Sequence, residues 1–236
     1  MENRKYVYFF GDGKAEGSAD MKSLLGGKGA NLADMTSIGL PVPPGFTITT
    51  EACDYFDKHE GAYPNGMKDE VLKNLRKLED LMGAKLGDRK NPLLVSVRSG
   101  AAQSMPGMMD TVLNLGLNPD SLQALIDKTG NERFAWDSYR RFIQMFGDVV
   151  MGVPHAQFEY ALQSVKDENN KVFDTELDVD NLKEVIKRYK IIYKKATGED
   201  FPTDPEYQLF KAIDAVFRSW NNDRAIKYRL MNDIRG

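Results

Sequence analysis

One change of pattern governs how this chain can fold. Up to about residue 117, short apolar runs alternate with glycine-bearing turns and a few amphipathic stretches. Beyond it, apolar residues recur at helical spacing with hardly a break. The first pattern is mixed helix-and-strand material and the second is all-helical. The 236 residues therefore predict an α+β chain with three stretches: a mixed segment over 1–117, a helical segment over 118–204, and further helices over 205–236.

Within the first stretch, Tyr6–Phe10, Phe46–Thr49, Leu93–Val97 and Thr111–Leu115 predict strands, with Leu93–Val97 central in its sheet. Lys28–Ile38 predicts a helix whose apolar face is Leu32, Met35 and Ile38, stopped by Gly39. Thr50 suits an N-cap ahead of Cys53 and Phe56, and Met67–Met82 is strongly amphipathic. In the helical part, the spacing predicts helices over 119–128, 133–151, 155–166, 181–196, 206–220 and 223–231. Phe142, Phe146, Ile186 and Tyr189 are the expected packing residues, and Phe134, Tyr139 and Val150 extend the stripe. Asp167–Asp180 reads as a surface loop, with Glu176, Asp178 and Asp180 as a solvated acidic face.

Composition narrows the chemistry. Lys plus Arg number 32 against 35 Asp plus Glu, with a pI near 5.6, which argues against nucleic acid as the main partner. No apolar run approaches a membrane span and no secretory leader is visible, so a membrane partner is not expected and a cytoplasmic protein is. The single cysteine, Cys53, fits a reducing compartment and excludes an internal disulfide. With only His59 and His155 beside it, it also excludes a Cys/His zinc site. Cys53 falls at an apolar-periodic helical position, so packing is favoured over a nucleophilic role. His155, after Pro154, suits a helix start or an exposed surface.

Three segments could carry chemistry. Gly26-Gly27-Lys28-Gly29, just ahead of a helix, has what a phosphate site needs: backbone that can come close, free amides and a mobile cation. It is neither a Walker A loop nor a dinucleotide fingerprint, because Gly29 follows Lys28 and Leu32 stands where a further glycine is wanted. A tight turn with a solvated lysine is an equal alternative. Val97-Arg98-Ser99-Gly100 places a guanidinium at a strand end entering a small-residue loop; it could grip phosphate or form an ion pair with Asp110. Gln103–Thr111 contains Met105, Met108 and Met109 around Pro106-Gly107, either a buried turn or an adaptable apolar surface.

These segments also carry a resemblance. Leu24–Leu32, Pro43–Cys53, Pro92–Gly116, Ser138–Phe146 and Val216–Trp220 resemble the N-terminal part of the pyruvate, phosphate dikinase family. The resemblance implies an ATP-grasp nucleotide-binding domain with a large helical insertion. It implies ATP and inorganic phosphate as ligands, and phosphoryl transfer to a histidine on a separate phosphohistidine domain. A further, pyruvate-binding domain would complete the conversion of ATP, phosphate and pyruvate to AMP, pyrophosphate and phosphoenolpyruvate. On this reading Lys28 and Arg98 bind ATP phosphates, Arg98 is catalytic, and Ser99, Gly100 and Thr111 add small polar contacts. The family's magnesium ligands are expected outside this chain, which ends at Asn232–Gly236, with Arg235 at a position where the family usually has proline. A fragment inactive by itself is the expectation. A phosphoenolpyruvate synthase-like enzyme and a non-catalytic binding module remain the alternatives.

Overall fold

The computed structural model describes residues 4–101, 105 and 109–234. They fall into two compact units, one of Met1–Gly83, Arg98–Asp110 and Val216–Gly236, the other of Ala84–Val97 and Thr111–Ala215.

In the first unit, β1 (Val7–Gly11) is the middle of an antiparallel sheet, flanked by β2 (Lys14–Ala15) and β3 (Gly45–Ile48). The β1–β3 register runs from Val7 opposite Ile48 to Phe10 opposite Gly45. Helix α1 (Lys22–Ser37) packs on β1 and β3. Its buried face is Gly29, Ala30, Ala33 and Thr36, while Met35 and Ile38 are exposed. Two of the three residues of the expected apolar face are thus turned out, and Leu32 is half-buried. Close approach is the reason: a Cβ on Gly29 would stand 2.6 Å from Thr47 Cγ2 of β3, so only a small-residue face fits.

Helix α2 (Thr50–Lys58) is capped by Thr49, whose side chain accepts from the Ala52 amide at 3.3 Å. The cap is therefore one residue before the expected one. Helix α3 (Met67–Met82) starts and ends where its periodicity predicts, buries Met67, Val71, Leu75 and Leu78, and stops at left-handed Gly83. Its Glu70 carboxylate accepts from the Tyr6 and Val7 amides, both at 2.8 Å, pinning the start of β1.

The second unit opens with β4 (Lys85–Leu86) parallel to β5 (Pro92–Leu93), followed by β6 (Val95–Arg98) paired with β7 (Thr111–Leu115). The expected strand over 93–97 is therefore interrupted at Leu94. Its second half lies in a two-stranded ladder with Ser96 exposed, not at the centre of a larger sheet among the described residues. Then come α4 (Pro119–Thr129), α5 (Glu132–Met145), α6 (His155–Glu168), α7 (Val179–Thr197) and α8 (Pro205–Arg218). Residues 118–204 contain no strand.

Helix α5 ends earlier than expected, because residues Phe146–Val150 continue as a π-helical turn. Phe134 at its start is exposed. The core of this unit is aromatic. The Phe201 ring meets Phe142, Phe146 and Tyr193 with centroids 5.8, 5.6 and 5.2 Å away, all edge-on. Ile186 and Tyr189 of α7 are buried with them. Glu176, Asp178 and Asp180 are exposed, and two of them cap backbone: Glu176 accepts from the Val172 and Phe173 amides, and Asp178 caps α7.

Residues 84–97 and 111–117 group with the helices, so the chain changes unit after Gly83, Val97, Asp110 and Ala215, where the sequence pattern divides it after 117 and 204. The physical reason is polar as well as apolar. Gln208, fully buried on α8, accepts from the Gly116 amide at 3.1 Å. Its amide group donates to Leu117 O at 3.0 Å and Pro202 O at 2.9 Å. One side chain thus satisfies two buried backbone groups just beyond β7 and a part-buried one just before α8. The final helix, α9 (Asp223–Met231), belongs to the first unit.

Gln208→Leu keeps the volume and removes all three bonds, leaving buried polar groups without partners. It should destabilise the fold by about 2–4 kcal/mol. Chemical denaturation would show this as a lower midpoint with an unchanged slope.

Candidate functional site

The glycine-lysine segment lies at a break in α1, with Lys28 at the start of the helix that follows, as its pattern suggested. Gly26 has φ 68° and ψ 171°, a conformation open essentially to glycine alone, and it splits α1 into a single turn and a longer helix that begins at Gly27. The Gly27 amide leaves the helical ladder and donates to Ala101 O at 3.0 Å. A Cβ on Gly26 would fall 1.3 Å from Gly100 O, so the two backbones are in direct contact. A Cβ on Gly100 would lie 3.6 Å from Leu25 O, 3.9 Å from Gly29 N and 4.0 Å from Lys28 Cβ. The break in α1 and the loop after β6 are one assembly.

That assembly brings together four of the five expected site residues: Lys28 from the helix start and Arg98, Ser99 and Gly100 from the loop. Lys28 and Arg98 are both exposed. Among the described residues no carboxylate pairs with either. The anticipated competitor for Arg98, Asp110, instead faces Arg224 at 3.4 Å and donates its amide to Ser219 Oγ at 3.3 Å. Ser99 Oγ lies 2.8 Å from the Met109 sulfur. Thr111 opens β7 and belongs to the second unit. Of the methionine turn, Met105 is buried and Met109 half-buried; Gln103, Ser104, Pro106, Gly107 and Met108 lie outside the described residues, as does Arg235.

The other candidates have structural roles. Burial pushes the Cys53 thiol up to about 12, with Asp57 and Asp54 adding to the effect, so a thiolate is disfavoured. His59 stacks on Tyr55 with centroids 3.7 Å apart, and its Nδ1 lies 2.8 Å from Tyr55 O. His155 opens α6, exposed, with Nδ1 2.7 Å from Asp148 and Nε2 3.5 Å from Glu159. Among the described residues no group of three or more His, Cys, Asp or Glu could hold a metal ion.

Sequence reasoning missed two parts of the assembly. One is Ala101, which acts through its carbonyl and so leaves no side-chain signal. The other is Thr50. Its hydroxyl donates to Ser23 O at 2.6 Å, with Leu24 O also within reach at 3.3 Å. The Thr49-Thr50 pair signalled a cap, but not that the second hydroxyl turns back to α1.

A helix start at a glycine break, beside two cations that no carboxylate among the described residues neutralises, suits an anion with several oxygens. A family profile described as "Pyruvate phosphate dikinase, AMP/ATP-binding domain" matches residues 22–65 and 62–236. The chain belongs to this family. It is 58% identical over 232 residues to the chloroplastic pyruvate, phosphate dikinase of Mesembryanthemum crystallinum, which covers 98% of this chain and 24% of that protein. Pyruvate, phosphate dikinase 2 of Zea mays is 56% identical over 230 residues, 98% of this chain and 26% of that one. The Clostridium symbiosum enzyme is 54% identical over 233 residues, again 98% and 26%. The chain thus spans about a quarter of the length of the curated relatives it matches. The expected family, its nucleotide-binding character and its mixed helix-and-strand fold all stand.

Gly26→Ala tests the assembly. The substitution forces a side chain into a glycine-only conformation, about 1–3 kcal/mol by itself, and drives its Cβ into Gly100 O. Thermal unfolding should drop. Amide spectra should shift at Gly27–Gly29 and at Gly100–Ala101 together, whereas shifts confined to α1 would show that the two backbones are independent.

Proposed function

We propose that this chain supplies one wall of the ATP and phosphate site of a pyruvate, phosphate dikinase. The observation that supports it most is the docking of the Arg98–Ala101 loop on the Gly26 break. It sets Lys28 and Arg98 on touching backbone segments with no carboxylate partner among the described residues. Lys28 brings a mobile point charge to phosphate oxygens. Arg98 brings a planar fork that holds the terminal phosphate or the incoming inorganic phosphate, and is the catalytic residue. Gly100 allows close backbone approach, and Ser99, on rotating away from Met109, offers a hydroxyl.

Phosphoryl transfer gains most from such positioning and charge neutralisation, since the protein forms no bond itself in the step at these residues. The phosphoryl group would pass to a histidine on a separate phosphohistidine domain and then to pyruvate on another. The net conversion is ATP, phosphate and pyruvate to AMP, pyrophosphate and phosphoenolpyruvate. Magnesium belongs to this chemistry, but the described residues do not fit it, and no step through it is assigned to this chain. A cytoplasmic setting is supported by the unpaired Cys53, although the names of several plant relatives place them in chloroplasts. None of the described helices is long and apolar enough to cross a membrane.

In the parent enzyme, Arg98→Ala should lower ATP-driven phosphorylation of the histidine by about 10²-fold or more. Phosphoenolpyruvate-driven phosphorylation of the same histidine should be retained. Equal loss of both half-reactions would mark a folding defect and remove the support for Arg98.

The isolated 236-residue chain should fold, bind ATP weakly and transfer no phosphoryl group. Each exposed charge contact contributes about 0–1 kcal/mol, against an association cost of at least about 4 kcal/mol. Isothermal titration with ATP and magnesium checks this. A low-micromolar dissociation constant lost in both Lys28→Ala and Arg98→Ala would show a complete site on this piece.

A further inference from the structure

We propose that Thr50 is a positioning residue for the phosphate turn: its hydroxyl holds the break at Gly26 open. The proposal rests on the phosphate-site reading above and adds a residue to it. In an unbroken helix, Ser23 O would accept from the Gly27 amide and Leu24 O from the Lys28 amide. Here Thr50 Oγ1 stands 2.6 Å from Ser23 O and 3.3 Å from Leu24 O. The Gly27 amide has turned to Ala101 O at 3.0 Å. Both halves of the missing rung have found other partners. One of those partners is the loop that carries Arg98, and the other is a side chain 26–27 residues away in sequence.

Thr50 is free for this role because Thr49 caps α2. Fixed in the first turn of α2, its hydroxyl reaches α1 from a rigid element, as a positioning group must. Gly26 permits either state, since glycine tolerates a regular helical conformation as well as the broken one. Without the Thr50 hydroxyl, the two carbonyls lose their donor. The amide that an unbroken helix would turn to Ser23 O is that of Gly27. Closing that rung draws Gly27 away from Ala101, swings Lys28 and releases the loop of Arg98 and Gly100.

The test uses the parent enzyme with Thr50→Val, which keeps the shape and lacks the hydroxyl, and Thr50→Ser, which keeps the hydroxyl. Thr50→Val should raise KM for ATP in the ATP-driven half-reaction by about tenfold or more. The phosphoenolpyruvate-driven half-reaction should be unchanged. Thr50→Ser should stay within about threefold of the parent. Hydrogen exchange in a peptide spanning residues 22–31 should slow in Thr50→Val and not in Thr50→Ser, as the rung closes.

If Lys28→Ala raises KM for ATP while Thr50→Val does not, the role of Thr50 is overturned and the phosphate site stands. If Lys28→Ala, Arg98→Ala and Thr50→Val all leave KM unchanged, the phosphate-site reading fails and this proposal with it. Loss of both half-reactions alike in Thr50→Val, or a Thr50→Ser defect as large as that of Thr50→Val, also overturns it.

Discussion

The contact between Gly26 and Gly100 is the constraint on which the candidate site depends. Two backbones meet there with no side chain between them, since a single added carbon would fall 1.3 Å from a carbonyl oxygen. Only a residue without a Cβ permits that distance, and the glycine-only dihedrals at Gly26 supply the second reason for its identity. From this contact the rest follows. The helix must restart at Gly27, the Gly27 amide must find another acceptor, and Ala101 provides it. Lys28 then leaves the first turn of the restarted helix beside the loop that begins with Arg98.

The same demand for closeness shapes α1 further along. Its sheet-facing side is Gly29, Ala30, Ala33 and Thr36, because β3 lies too near for anything larger. The helical residues of the second unit solve the opposite problem. They fill a wide interior with Phe142, Phe146, Tyr193 and Phe201 rings packed edge-on. Each unit also uses one polar side chain to close a backbone account that packing leaves open: Glu70 for the start of β1, Gln208 for the residues after β7. Such groups stabilise by denying buried amides and carbonyls an unsatisfied state, and their loss costs more than their formation gains.

Legibility in the sequence followed this division. Helix α3, the strand Thr111–Leu115 and the long helices of 118–204 were visible, because spacing alone decides an amphipathic helix and β-branched runs decide a strand. The face of α1 was misread, since a hydrophobicity pattern favours Met35 and Ile38 and gives no weight to closeness, which selected Ala and Gly. The π-helical turn at Phe146–Val150 was invisible for a similar reason: its period differs from that of an α-helix by less than one residue. At the site, Lys28, Arg98 and the glycines announced themselves by residue type. Ala101 and Thr50 did not, since one acts through its backbone and the other through a contact far away in sequence. The unit boundaries at Gly83 and Ala215 were likewise hidden, depending on long-range bonds such as those of Gln208.

The electrostatics of the site turn on where Asp110 spends its charge. A guanidinium at the end of a strand would ordinarily collapse on the nearest carboxylate, and a ligand would then have to break that pair before binding. In this chain Asp110 is engaged by Arg224 through its side chain and by Ser219 through its amide. Both partners come from the C-terminal part of the first unit. Arg98 stays exposed and unpaired among the described residues, as does Lys28. The fixed element at this site is the backbone, where Gly26 meets Gly100 and Gly27 bonds Ala101, while the charged side chains are exposed. That arrangement suits a polyanion such as a nucleotide phosphate chain. Under the proposed reading, a ligand would engage two long cations that have no carboxylate partner among the described residues to surrender.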